Sequence, residues 1–263
     1  MTTTDAAGPD FAHSLPLARG ARVAAWSEGG VLALDKPAGV MTHPNDSSDR
    51  SAALLQADYD HEEECYHWPP TGPDDPGKLY LLNRLDSPTS GLVVAALNAE
   101  AAEAGRRAFA QGRAHKLYFA LVHGRPHPPH GAWVDRLART NPGGPAAGRG
   151  ARVKVASGRD PGQMAETRYS CVETGSKSGS QLTLLRLEPV TGRTHQLRVQ
   201  CAAHHHPILG DGTYGDFAFN RQFARLSGHK RLFLHAAAIR LPGLRFAAES
   251  PLPEEFKGAL RAK

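Results

Sequence analysis

Two apolar runs, Leu79-Tyr80-Leu81-Leu82 and Leu92-Val93-Val94-Ala95-Ala96-Leu97, bracket the polar stretch Asn83-Arg84-Leu85-Asp86-Ser87-Pro88-Thr89-Ser90-Gly91. Both runs are too short for helices, and the second is rich in branched side chains, so both read as strands. The stretch between them is then a loop fixed at both ends to a sheet. It presents Asp86 one residue away from Arg84, and side chains on loops held by a rigid scaffold are frequent carriers of chemistry. The same residues also suit an Asx-type turn, with Asp86 bonding the backbone near Ser87-Pro88. The loop alone leaves both readings open.

The remaining chain narrows the choice of architecture. Its 263 residues fit one large domain or two small ones. The net charge of +5 favours an anionic partner without proving one. No apolar run is long enough to span a bilayer, so no membrane is expected. The amino-terminal residues Met1–Ala7 lack the basic-then-apolar order of a secretory signal. Cys65, Cys171 and Cys201 are odd in number and widely spaced, which disfavours disulfides and zinc and makes a reducing, cytoplasmic setting the expectation.

Along the chain, residues 1–20 are small, polar and aperiodic and read as a flexible arm, with a single domain over 21–263. Val31–Leu34 is a short strand, followed by a turn at Asp35-Lys36-Pro37-Ala38-Gly39. The acid-, Pro- and Gly-rich residues Asp58–Lys78 read as an extended loop or insertion. Asn98 is placed to cap a helix over Ala99–Gln111, with Glu100 suiting the dipole of its first turn. Lys116–Val122 alternates like a strand, Asn141–Gly150 is a loop, and Thr183–Leu187 is a further strand. Thr194 is expected to cap a helix that runs to about Ala203 and stops before Pro207. Strands outnumber helices, so the fold class is α+β on a mainly antiparallel or mixed sheet.

Four other segments carry chemistry-bearing side chains. In Arg193-Thr194-His195-Gln196-Leu197-Arg198, Arg198 falls in the first helical turn, where a cation opposes the macrodipole unless a carboxylate faces it. Asp86 is nominated as that carboxylate, and Arg193 as a phosphate contact at the same helix end. In His115-Lys116-Leu117-Tyr118-Phe119-Ala120-Leu121-Val122, Tyr118 and Ala120 share one strand face, and Tyr118 offers a ring and a hydroxyl. Lys36 and His43 lie in a Pro/Gly loop that either lines a polyanion cleft or is a plain turn. His204-His205-His206 diverge as neighbours and make a poor metal cage.

Taken in order, these segments resemble the RluA-type RNA pseudouridine synthases. The matching pieces are Leu34-Asp35-Lys36-Pro37-Ala38-Gly39, Arg84–Gly91, His115–Tyr118, Gly192–Arg198 and His206-Pro207-Ile208-Leu209-Gly210-Asp211. The resemblance implies an isomerase that converts uridine in RNA to pseudouridine without cofactor or metal; ribosomal and transfer RNA are both open as targets, and a monomer is the default expectation. It also implies a bent mixed sheet with a central cleft. It assigns Asp86 as the catalytic aspartate, Tyr118 as the tyrosine packed on the target base, and Arg198 as the partner of the aspartate. Leu197 lies near the base, and Arg84 is tied to flipping the nucleotide out. Lys36 and Arg193 are expected at phosphates. Asn83 departs from the family's usual His. The segment before Val23 is too short for the extra RNA-binding domain of many relatives.

Cleavage and re-formation of a glycosidic bond, by covalent attack of Asp86 or by elimination to a glycal, needs an ionised carboxylate where water is scarce. Asn83 motivates a competing reading, a catalytically silent RNA-binding relative. A third reading, a hydrolase with a carboxylate nucleophile, calls for a second carboxylate as acid, and Asp211 is the candidate.

Overall fold

The structure is a computed structural model that describes residues 10–70, 72, 75–140, 152–157, 161–177 and 180–261. The chain divides into two compact units, one formed by residues up to 115 together with 238–250, the other by 116–237 and the residues after 250. The expected loop at Asn141–Gly150 lies outside the described residues.

In the first unit the strands are β1 (Arg22–Trp26), β2 (Val31–Lys36), β3 (Asp58–Asp60), β4 (Cys65–His67), β5 (Lys78–Leu81) and β6 (Ser90–Ala96). Their order β3-β4-β5-β6-β2-β1 is antiparallel throughout. The two apolar runs that flank Asp86 are thus neighbouring strands, β5 and β6. Every residue of β6 is buried, which explains its continuous apolar run. Helix α1 (Ala99–Ala110) begins as expected, with the Asn98 side chain accepting the Ala101 N–H at 2.8 Å. Ala101, Ala102 and Gly105 form its buried face against Leu82.

Two expectations change here. Asp58–Lys78 is not an open loop: it contains the β3–β4 hairpin, whose Cys65 and Tyr66 are fully buried. Its acid, Pro and Gly content belongs to the turns and hides two three-residue strands. Nor is the whole of 1–20 loose. Leu15 and Ala18 are buried, and Ala18 N–H and Pro16 C=O bond Leu54 and Gln56. Apolar residues spaced three apart were enough to anchor this segment, although it shows no periodicity.

The second unit contains β7 (His115–His123, from Lys116 onward), β8 (His130–Arg139), β9 (Val153–Val155), β10 (Gln163–Lys177), β11 (Ser180–Pro189), α2 (Gln196–Ala203) and α3 (Phe217–Ser227). The order β7-β11-β10-β8-β9 is again antiparallel. The chain then follows β12 (Leu234–Leu241), whose last four residues pair with β13 (Phe246–Glu249) in the first unit. It ends in α4 (Glu254–Arg261) in the second.

Alternation along β7 sorts its side chains as expected. Tyr118, Ala120 and Val122 join one apolar cluster with Leu185, Leu187 and Leu197, and Phe119 and Leu121 join another with Phe233 and Phe256. Both faces are therefore apolar. None of the described helices is long and apolar enough to cross a membrane.

Candidate active site

The candidate residues fall into two groups, one in each unit. In the first, the Asp86 loop is clamped on either side of the carboxylate. The Thr42 hydroxyl donates to the Leu85 carbonyl at 2.8 Å and accepts the Leu85 N–H at 3.1 Å. This one buried side chain satisfies both backbone groups of the residue before Asp86. Thr42 is held in turn by the buried Tyr66, whose hydroxyl donates to the Thr42 carbonyl at 2.8 Å.

On the other side, Ser87 is tied to the turn that follows β2. Gly39 N–H donates to the Ser87 carbonyl at 2.8 Å, and the Ser87 hydroxyl returns to the Gly39 carbonyl at 2.9 Å. Gly39 has φ +90, a conformation that side chains disfavour. Thr89 N–H closes a turn onto the Asp86 carbonyl at 3.0 Å. This is a main-chain β-turn over Asp86–Thr89, whereas the expected Asx turn would use the Asp86 carboxylate itself as acceptor.

Lys36 departs from its expected role. The residue is 1% exposed, and its ammonium donates to the carbonyls of Pro37, Val40 and Ser87 at 3.0, 2.7 and 3.0 Å. A cation buried among carbonyl oxygens cannot also meet a phosphate. It welds the β2 turn to the Asp86 loop. Asn83 likewise has a structural role, since its Oδ1 accepts the Val94 N–H at 2.6 Å and so extends the β5–β6 ladder by one side-chain rung. That takes away the motive for reading Asn83 as a lost catalytic group.

Arg84 is exposed, with Nη1 at 3.5 Å from His43 Nε2 and 3.6 Å from Glu64 Oε1. The His43 Nδ1–H faces the Pro44 carbonyl at 3.0 Å, which leaves Nε2 as an acceptor for the guanidinium. Burial pushes the His43 pKa down and keeps the ring in that neutral form.

In the second unit, Arg198 sits in the first turn of α2 and has a buried carboxylate partner. Its Nε and Nη2 donate to Asp211 Oδ2 and Oδ1 at 2.8 and 2.9 Å. The expectation had named only Asp86 for this role. Asp211 Oδ1 also accepts the N–H groups of Thr213 and Tyr214, at 2.8 and 3.0 Å. Burial alone would raise the Asp211 pKa, but Arg198 and these N–H groups more than reverse it and hold the carboxyl below its usual range. A carboxylate locked in this ionised state is a poor proton donor, so the hydrolase reading loses its acid.

Gly210 makes this placement possible. A Cβ there would come within 1.8 Å of the Arg231 carbonyl oxygen, and its φ is +76. The Arg198 guanidinium also lies 5.2 Å from the Tyr214 ring.

The start of α2 differs from the expected Thr194 cap. The cap position is His195, in the left-handed region at φ 53, with no capping side chain. The side chain of Gln196, the first helical residue, instead braces the loop before the helix. Its Oε1 accepts the Arg193 N–H at 3.0 Å and the Thr191 hydroxyl at 2.7 Å, while its Nε2 reaches the Glu166 carbonyl at 3.0 Å. Arg193 is exposed, with Nε on the Met164 carbonyl at 3.1 Å. Leu197 is buried in the cluster that also receives Tyr118. Lys116, two residues before Tyr118, donates to the Thr191 carbonyl at 3.0 Å, and burial lowers its pKa to about 8.

Of the adjacent histidines, His204 and His206 have different neighbours. His204 stacks on Trp133 and meets Asp135, and His206 faces the His123 carbonyl. Elsewhere, donor atoms of Glu63, Cys65 and His67 lie within 4.8 Å of one another. There Lys78 already holds Glu63 at 2.7 Å, and burial raises the Cys65 thiol to about 11.

A sequence profile of RNA pseudouridylate synthases matches residues 30–203, well over half of the chain. The chain belongs to that family. Among members of the family, RNA pseudouridylate synthase domain-containing protein 1 of Danio rerio is 32% identical over 201 residues, 75% of this chain and 65% of that protein. The human protein of the same name is 32% identical over 191 residues, 72% of this chain and 59% of that one. The chain thus spans a little under two thirds of the length of these two relatives. The tRNA pseudouridine synthase C of Haemophilus ducreyi is 31% identical over 220 residues, 80% of each chain. The solved structure of human RNA Pseudouridylate Synthase Domain Containing 1 shares the fold, with a TM-score of 0.64 at 24% identity over 93% of this chain and 96% of that one. The α+β expectation holds.

Proposed function

We propose that this pseudouridylate synthase family member isomerises uridine to pseudouridine in RNA, with Asp86 as the catalytic carboxylate. The observation that carries the reading is the double clamp on the Asp86 loop. Thr42 on one side, and Lys36 and Gly39 on the other, fix the backbone of both neighbours of a half-buried carboxylate. Such preorganisation is what a group needs if it must meet a reacting carbon without reorienting.

In this mechanism Asp86 acts at the nucleoside as its N–C glycosidic bond breaks, the uracil turns, and the sugar carbon rejoins it at C5, the proton lost from C5 being balanced by one taken up at N1. Arg198 is assigned as the partner of Asp86. Tyr118 stacks on the extruded base and serves proton transfer at C5. Leu197 supports the apolar wall, and Arg84 fills the place of the flipped nucleotide, an extrusion that costs a few kcal/mol. Arg193 contacts phosphate. A transfer RNA is the substrate class we favour, because the similarity to tRNA pseudouridine synthase C extends over 80% of both chains.

The test uses transfer RNA transcripts tritiated at uridine C5, since the new bond at C5 releases the label. Asp86→Asn should abolish release while filter binding of the same RNA stays within about threefold. Wild-type release from that variant refutes the assignment. Tyr118→Phe keeps the ring, so undiminished release would leave Tyr118 with stacking alone.

A further inference from the structure

Beside Arg84, the β3–β4 hairpin and the β2 turn build a column of rings. His43 and Tyr59 lie face to face, with centroids 4.9 Å apart and planes at 10°. His61 stands edge-on to both, at 5.6 and 5.0 Å. Tyr66 abuts Tyr59 at 4.9 Å and ties the column to the core. Exposure rises along it: Tyr66 is buried, Tyr59 and His43 are half-buried, and His61 is open to solvent.

A hairpin stabilised by burial alone has no need of an aromatic ring at its wet end. At the flank of the column, Arg84 is held by two contacts of 3.5 and 3.6 Å, both near the outer limit for such interactions. The surrounding acids are occupied locally. Glu63 is paired with Lys78, Glu64 is shared between Arg84 and Arg106, and Asp60 accepts the Glu62 and Glu63 N–H groups. An exposed ring backed edge-on by further rings matches the chemistry of a nucleobase. Base-on-ring stacking tolerates any base and adds substantially to single-strand affinity.

We propose that the exposed His61 ring, backed edge-on by Tyr59 and His43, forms a stacking subsite for one unpaired nucleobase of the bound RNA, outside the target uridine. The proposal rests on the reading of the chain as an RNA pseudouridine synthase. Its own readout is binding, so it can fail separately from that reading.

His61 is exposed, so His61→Ala should leave the fold intact, as a thermal melt will verify. Filter binding of unmodified transfer RNA transcripts should weaken about tenfold in His61→Ala and recover in His61→Phe. In tritium release the same loss should appear in KM, with kcat within about twofold. Unchanged binding by His61→Ala overturns the subsite, as does a His61→Phe variant as weak as His61→Ala, which would point to charge rather than stacking. If the wild type binds RNA in this pattern yet releases no tritium, the subsite stands and the enzymatic reading falls.

Discussion

Arg198 and Asp211 form a side-on, two-bond ion pair, with Nε–Oδ2 at 2.8 Å and Nη2–Oδ1 at 2.9 Å and both side chains buried. Removing one member of such a pair strands the other charge away from water, which typically costs about 3–5 kcal/mol. Asp211→Ala should therefore lower the unfolding free energy by about that amount in urea titrations. A loss under about 1 kcal/mol would show that solvent reaches Arg198 in the folded protein.

The same carboxylate sets an acid limit. Its folded pKa lies below the ordinary 3.8, so the folded state binds this proton less readily than the unfolded chain. The stability it contributes is complete above the unfolded value and is lost as pH falls through the folded one. Urea midpoints measured downward from pH 6 should fall below about pH 4, and Asp211→Asn should show a shallower decline. Parallel curves for the two proteins would assign the acid sensitivity to other groups.

Thr42→Val keeps the shape of the side chain and deletes both bonds to Leu85. The buried Leu85 N–H and C=O then lose a partner, at a cost of about 1–3 kcal/mol. Because Asp86 follows directly, kcat should fall by about tenfold to a hundredfold with KM little changed, as expected for a misplaced reacting group. Full kcat would show that Thr42 is dispensable for positioning Asp86.

Salt dependence separates the buried lysine from the exposed arginines. Lys36→Met should destabilise the protein and leave the slope of log affinity for RNA against log salt as it was, since its ammonium is already bound to carbonyls. Arg84→Ala and Arg193→Ala should each flatten that slope by about one contact's worth, roughly 0.7–0.9. Equal slopes for Lys36→Met and Arg84→Ala would reverse the distinction.

What could be read from the chain was local. The Asn98 cap, the β5 and β6 runs and the alternation of β7 are signals carried within a few residues, and each appears in the structure. The clamps were not legible, because they join distant residues: Thr42 meets Leu85 across 43 positions, and Lys36 meets Ser87 across 51. Nothing in a Pro/Gly-rich turn announces that its lysine will be buried. The β3–β4 hairpin was hidden by turn-like composition, since its strands of three residues are too short to show a period. Thr194 looked like a cap because of its residue type. The helix instead begins after His195 in the left-handed region, and the Gln196 amide braces the loop before it. Asp211 stands out in the sequence only as the end of a family-like segment and as the candidate acid of a hydrolase, since an ion pair spanning a turn and a helix leaves no pattern in sequence.

Many proteins draw several carbonyl oxygens together around a captured metal ion, which dilution or a chelator can remove. In this protein the positive centre beneath the Asp86 loop is the end of the Lys36 side chain, covalently part of the polypeptide. The loop's shape should accordingly be indifferent to the ionic make-up of the surrounding solution, and the pin is in place as soon as the chain has folded.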